Sequence, residues 1–162
     1  MSITDDLLRA NEAYAESYTE GALPMPPGDH VAVVACMDAR LDVYRMLGLS
    51  LGQAHVIRNA GGVVGEDAIR SLVISQRLLG TTEIVLIHHR DCGMLTFSDD
   101  DVKAQIEQDT GIRPAFALEA FGDLEADVRQ SIARIQASPF IPHKNVRGFV
   151  FDVATGKLDE VT

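Results

Sequence analysis

The chain holds two cysteines, Cys36 and Cys92, and each follows an apolar run and has a carboxylate close by. The first lies in "VVACMDAR", where Cys36, Asp38 and Arg40 fall on alternate positions. The second lies in "IVLIHHRDCG", which also supplies His89. Thiolate and imidazole are donors that zinc accepts readily, and two sulfurs with one nitrogen leave a fourth position open, as catalytic sites do. His-x-x-Cys spacing suits a turn that brings both side chains onto one ion. Asp38 and Arg40 are spaced to form a carboxylate–guanidinium pair beside it. Each residue alone has a plainer reading. A strand-end cysteine packs as a small hydrophobe, and an Asp–Arg pair at the surface contributes little. The functional reading rests on all five occurring together at two strand ends.

For these side chains to meet, neighbouring strands must carry them. Three short runs read as strands: Val31 to Ala35, His55 to Ile57, and Ile84 to Ile87. The first and third are continuously apolar, as in strands buried on both faces of a parallel sheet. Between the second and third, "GEDAIRSLVISQRLLG" repeats Ile69, Leu72, Val73, Gln76 and Leu79 along one stripe, with Gly80 as the stop. That is a crossover helix, so a βαβ unit follows. Ser98 and Asp123 are placed to cap two further helices, and "NVRGFVFDVATGKLDEV" reads as a terminal strand and hairpin. Thr4 to Glu20 reads as an amphipathic helix with Leu7, Leu8, Tyr14, Ala15 and Tyr18 on one side and Gly21 at its end. The prolines of "ALPMPPGDH" make the next segment a connector. The expected fold is α/β and three-layered, with a mostly parallel sheet of about four or five strands flanked by helices. A single domain is expected over 1–162, with an N-terminal helical arm at 1–22 and the α/β core at 30–162. Ligands of such sheets bind beyond the carboxyl ends of the strands, where strand order reverses.

At 162 residues, 46% hydrophobic and 23% charged, the chain has the balance of an ordinary globule. Its net charge of −10, with no basic block, argues against nucleic acid or an anionic membrane as partner. The N-terminal stretch is acidic where a signal peptide needs a basic end, and no apolar run approaches a membrane span. Two cysteines are too few for a disulfide framework, so a cytoplasmic location with reduced thiols is expected.

The paired motifs resemble those of the β-class carbonic anhydrases: "CMDAR" matches their Cys-x-Asp-x-Arg motif and "HRDCG" their His-x-x-Cys-Gly motif. The spacing between them, the "RNAGG" segment and the crossover helix are similar as well, and the likeness covers nearly the whole chain. The resemblance implies a zinc ion held by Cys36, His89 and Cys92. Asp38 would fill the fourth position in a closed form, or turn away to pair with Arg40 in an open one. In the open form zinc-bound hydroxide would attack carbon dioxide, giving bicarbonate and a proton. It also implies a homodimer or a multiple of dimers, with the N-terminal helix covering a partner subunit. "RNAGG" and "MDAR" resemble a compact subgroup whose relatives include hydrolases of carbonyl sulfide and carbon disulfide with the same ligands. Those substrates are the alternative reading, and a zinc-binding domain without catalysis is a third. Gly61 and Gly62 read either as a substrate-binding turn passing close to the site or as a plain turn. Asp91 reads as solvated, and His88 as facing away from its neighbour His89 by strand alternation. His55 is the better-placed candidate for a proton shuttle.

Overall fold

The computed structural model describes residues 2–162. Ser2 opens helix α1 (Ile3–Glu16) with a capping box: its hydroxyl accepts from the Asp5 amide, and its own amide donates to the Asp5 carboxylate at 2.7 Å. The helix ends at Glu16, not at Glu20 as its apolar pattern predicts. The Ser17 amide and hydroxyl both turn back onto the Tyr14 carbonyl, and this local bonding competes with a further helical turn. No residue of α1 is buried.

The body is a five-stranded sheet in the order β2-β1-β3-β4-β5. Strands β1 (Val31–Cys36), β2 (Ala54–Asn59), β3 (Glu83–His89) and β4 (Asn145–Phe151) run parallel. Strand β5 (Leu158–Val161) returns antiparallel to β4, as the terminal hairpin predicts. The apolar run predicts a second strand ending at Ile57. It continues through Arg58 and Asn59, which pair with Ala35 and Cys36, because the ladder and not side-chain polarity holds the chain extended there. The helices α2 (Val43–Leu47), α3 (Glu66–Arg77), α4 (Asp99–Thr110) and α5 (Leu124–Ala137) lie between the strands in sequence. Ser98 and Asp123 cap α4 and α5 as expected.

Strand alternation divides the core into two faces. Ala32, Val34, Ile84 and Leu86 pack with Ala68 and Leu72 of α3 and Ile135 of α5. Val33, Ala35, Cys36 and Ile87 pack on the other face with Val43 of α2 and with Val63, Cys92, Met94 and Phe121 from the connecting turns. The chain runs from β1 to β2 on one side and then places β3 on the other side of β1. Strand order therefore reverses between β1 and β3, where an open parallel sheet forms its crevice. Helix α5 sits tightly on β4 because Gly148 has no side chain. A Cβ there would lie 2.3 Å from Cγ1 of Val128 and 3.0 Å from Cδ1 of Ile132. Gly148→Ala is thus expected to force α5 outward and to lower stability by about 1–3 kcal/mol. A denaturant midpoint equal to that of the unsubstituted protein would contradict this packing.

Candidate metal centre

Cys36 ends β1 and His89 ends β3, so parallel pairing alone brings them to one rim of the sheet. Cys92 joins them through a tight turn in which Asp91 takes a left-handed conformation, φ 58°. The donor atoms of Cys36, His89 and Cys92 all lie within 4.8 Å of one another. The three residues are 4%, 0% and 4% exposed. Nδ1 of His89 lies 2.9 Å from the Arg90 carbonyl. A carbonyl can only accept, so Nδ1 carries the proton and Nε2 presents its lone pair. That Nε2 is buried and meets no hydrogen-bond partner. A buried polar nitrogen without a partner is costly. A cation reaching roughly 2.0–2.3 Å to nitrogen and sulfur would satisfy all three, so the donor set fits zinc.

The thiols are poised differently. Burial pushes Cys36 up, but the facing His89 imidazole and the backbone amides of Asp38 and Gly61 outweigh it and bring the thiol down to about 7. Burial dominates at Cys92 and, opposed by the Met94 amide, pushes it up to about 11, with Cys36 adding to the rise. The same Cys36 raises His89 against the effect of its burial. Both thiols and the imidazole bind a metal only in their deprotonated forms, so metal binding would release protons.

Asp38 stands at the edge of this cluster, its Oδ2 3.7 Å from Nε2 of His89. Arg40 holds it with two parallel bonds, Nε to Oδ1 at 2.9 Å and Nη2 to Oδ2 at 2.8 Å, and adds its own backbone amide to Oδ1 at 2.9 Å. These bonds, the side-chain pair first, keep the Asp38 carboxyl well below the usual carboxylate range. Arg40 also reaches across to the second motif, donating to the Asp91 carboxylate at 2.8 Å and to the Asp91 carbonyl at 3.0 Å. Asp91 is therefore not merely solvated, as its place in the sequence suggests; it shares the guanidinium with Asp38. Its only sequence signal is adjacency to Cys92.

The "RNAGG" segment supports the same cluster. Gly61 takes a left-handed conformation, φ 82°, and its amide is among the groups that lower the Cys36 thiol. Gly62 lies against the strand backbones. A Cβ on it would meet the Cys36 nitrogen and the Ile87 oxygen, each at 2.9 Å, so no side chain fits. Arg58 was not a sequence candidate. Its guanidinium donates to the Cys36 carbonyl from Nε at 3.0 Å and Nη2 at 2.8 Å, and to the Asp38 carbonyl at 2.7 Å. Nothing in the sequence reveals this, because its acceptors are backbone atoms that every residue carries.

The other histidines lie away from the cluster. His88 points to the opposite face, as alternation requires, where its Nε2 lies 2.7 Å from the Asp127 carboxylate of α5. His55 pairs with Ala32 near the start of the strands, at the end opposite Cys36, and its Nδ1 is 2.8 Å from Oγ of Ser75. As a proton shuttle it is misplaced by the length of a strand. The expectation treats the second strand as ending soon after His55, whereas it runs to Asn59.

The sequence model of the carbonic anhydrase family matches residues 31–158. A β-carbonic anhydrase 1 of Mycobacterium tuberculosis is 64% identical over 163 residues, covering 100% of this chain and 99% of that protein. A carbon disulfide hydrolase of Saccharolobus solfataricus is 34% identical, covering 95% of this chain and 86% of that protein. The crystal structure of a carbonic anhydrase from Streptococcus mutans superposes with a TM-score of 0.93 at 44% identity, covering 100% of this chain and 99% of that one. The chain belongs to the β-carbonic anhydrase family.

Proposed function

We propose that this chain binds zinc through Cys36, His89 and Cys92 and catalyses the reversible hydration of carbon dioxide to bicarbonate and a proton. One observation carries the reading. A carboxylate within 3.7 Å of a buried Cys-His-Cys cluster is turned onto an arginine. A purely structural zinc site needs no such pair. When bound, zinc supplies the Lewis acidity that makes water a nucleophile near neutral pH.

The residues of the chain do the rest. Cys36 and Cys92 give thiolates and His89 gives the lone pair of Nε2, leaving one tetrahedral position for water or substrate. Asp38 is the group able to fill that position. While Arg40 holds both its oxygens, it is kept off the cluster and its charge is neutralised. Released, it would compete for the vacant position and exclude water. The kinship with a carbon disulfide hydrolase supports a second reading, in which carbon disulfide or carbonyl sulfide is the substrate of the same residues. Either reading suits a cytoplasmic location, where both thiols remain reduced.

The purified protein is expected to carry one zinc per chain and to hydrate carbon dioxide faster than it releases sulfide from carbonyl sulfide or carbon disulfide. Sulfide release with negligible hydration would transfer the assignment to the second reading, and inactivity towards all three would reduce the site to a binding module. Cys36→Ser and Cys92→Ser should each lose zinc on metal analysis; full retention would remove that residue from the ligand set.

Arg40→Ala is expected to retain zinc but to lose most of its turnover, by about 10–100-fold, the usual cost of losing a partner of the ligand shell. Unchanged kcat in that variant would show that Asp38 needs no restraint.

We further infer a homodimer or a multiple of dimers. Ile3, Leu7, Leu8 and Tyr14 of α1, and Tyr18 just beyond it, are 73%, 63%, 60%, 51% and 47% exposed, and the helix buries none of its residues in its own chain. A surface of that kind is normally covered. Light scattering at micromolar concentration should give at least twice the chain mass, and removal of residues 1–22 should weaken the assembly. A stable monomer would overturn this.

A further inference from the structure

We propose that Arg58 is a positioning residue for the metal centre: by bridging the carbonyls of Cys36 and Asp38 it holds the turn that carries Asp38 and keeps the Asp38 carboxylate on Arg40. The inference rests on the zinc reading given above and deepens it.

The geometry is specific. Cys36 supplies a sulfur to the cluster, and Asp38, two residues on, supplies the carboxylate held beside it. The peptide link between Met37 and Asp38 sets where the Asp38 side chain stands. Arg58 grips the carbonyl on either side of that peptide link, at Cys36 with Nε and Nη2 and at Asp38 with Nη2, over 2.7–3.0 Å. A planar guanidinium with fixed donors can hold two carbonyls in one relative orientation, which a single flexible ammonium cannot do as well. The rest of the turn is held more thinly, by the Met37 amide on the Asn59 carbonyl at 2.8 Å and the Leu41 amide on the Asp38 carbonyl at 3.0 Å.

Asp38 Oδ2 already lies 3.7 Å from Nε2 of His89, and Arg58 restrains the backbone that carries it. Two arginines therefore act on one aspartate from different sides. Arg40 binds its carboxylate, and Arg58 binds the backbone that carries it. Loss of Arg58 would loosen that backbone and let Asp38 swing inward with Arg40 intact. Outer partners of this kind commonly change activity or metal affinity by 10–100-fold.

The test compares wild type, Arg58→Ala, Arg58→Lys and Arg40→Ala as full chains loaded with zinc for kinetics and with cobalt(II) for visible spectra. Arg58→Ala is expected to lose about 10–100-fold in kcat with KM near the wild-type value. Its cobalt spectrum should move towards that of Arg40→Ala, where Asp38 is free to coordinate. Arg58 is exposed, so added guanidinium ion should reach the vacated position and restore part of kcat in Arg58→Ala. Arg58→Lys keeps the charge and much of the side chain, should fold even if the alanine variant does not, and should fall between wild type and alanine in both readouts. Wild-type kcat and spectrum in both variants would overturn the inference. So would lost activity with an unaltered cobalt spectrum and no rescue, which would leave Arg58 a role in the fold alone. A wild-type protein that takes up no metal would overturn the zinc reading itself, whereas active wild type beside an unperturbed Arg58→Ala overturns this inference only.

Discussion

Three soft donors buried within 4.8 Å of one another are the constraint on which the site depends. Two of them repel when ionised, and the third, Nε2 of His89, has no hydrogen-bond partner. Burying such a set costs free energy unless a cation completes it. The fold meets the cost in advance with rigid supports. Cys36 and His89 stand on adjacent parallel strands, so their separation is fixed by the ladder and not by a flexible loop. The close fit of Gly62 against the backbones of Cys36 and Ile87 presses the next turn onto the same strand ends. The convergence of the three donors and the shape of the crevice are thus consequences of strand order.

The charges around this cluster are arranged in tiers. The sulfurs and imidazole are buried; Asp38 is at the rim, its side chain 20% exposed; Arg40 lies beyond it at 46%. Arg40 joins the two motifs, since it bonds Asp38 from the first and Asp91 from the second. A change at one strand end is therefore transmitted to the other through one guanidinium. Arg58 adds a hold of a different kind, on backbone carbonyls, which no change in the Asp38 carboxylate can release.

The parts of the site legible in the sequence were those carried by residue type. A strand-end cysteine alone packs as a small hydrophobe, but two cysteines and a histidine in paired motifs mark a donor set, and the continuous apolar runs before them marked buried parallel strands. The crossover helix, two caps and the terminal hairpin followed from periodicity and capping residues. What escaped depended on pairing. Arg58 and Asn59 look like the polar end of a strand, yet the ladder with Ala35 and Cys36 extends them. Asp91 gains its partner from a residue 51 positions away, and Arg58 binds carbonyls, which sequence cannot distinguish. His55 was misread because strand length, and not composition, decides which rim a residue reaches.

The exposure of the Asp38–Arg40 pair bears on why it can act as a gate. A fully buried carboxylate–guanidinium pair is hard to open, because breaking it leaves an uncompensated charge in a low dielectric. A fully exposed one is screened and holds little. At the rim the pair is strong enough to draw the carboxylate off the cluster, and water is close enough to take over its bonds when it opens. Asp91 lowers the cost further, because Arg40 keeps one anionic partner when Asp38 leaves. The thiolates act against closure. With two thiolates as donors to an ion, a third anion would gain less than it would beside neutral ligands.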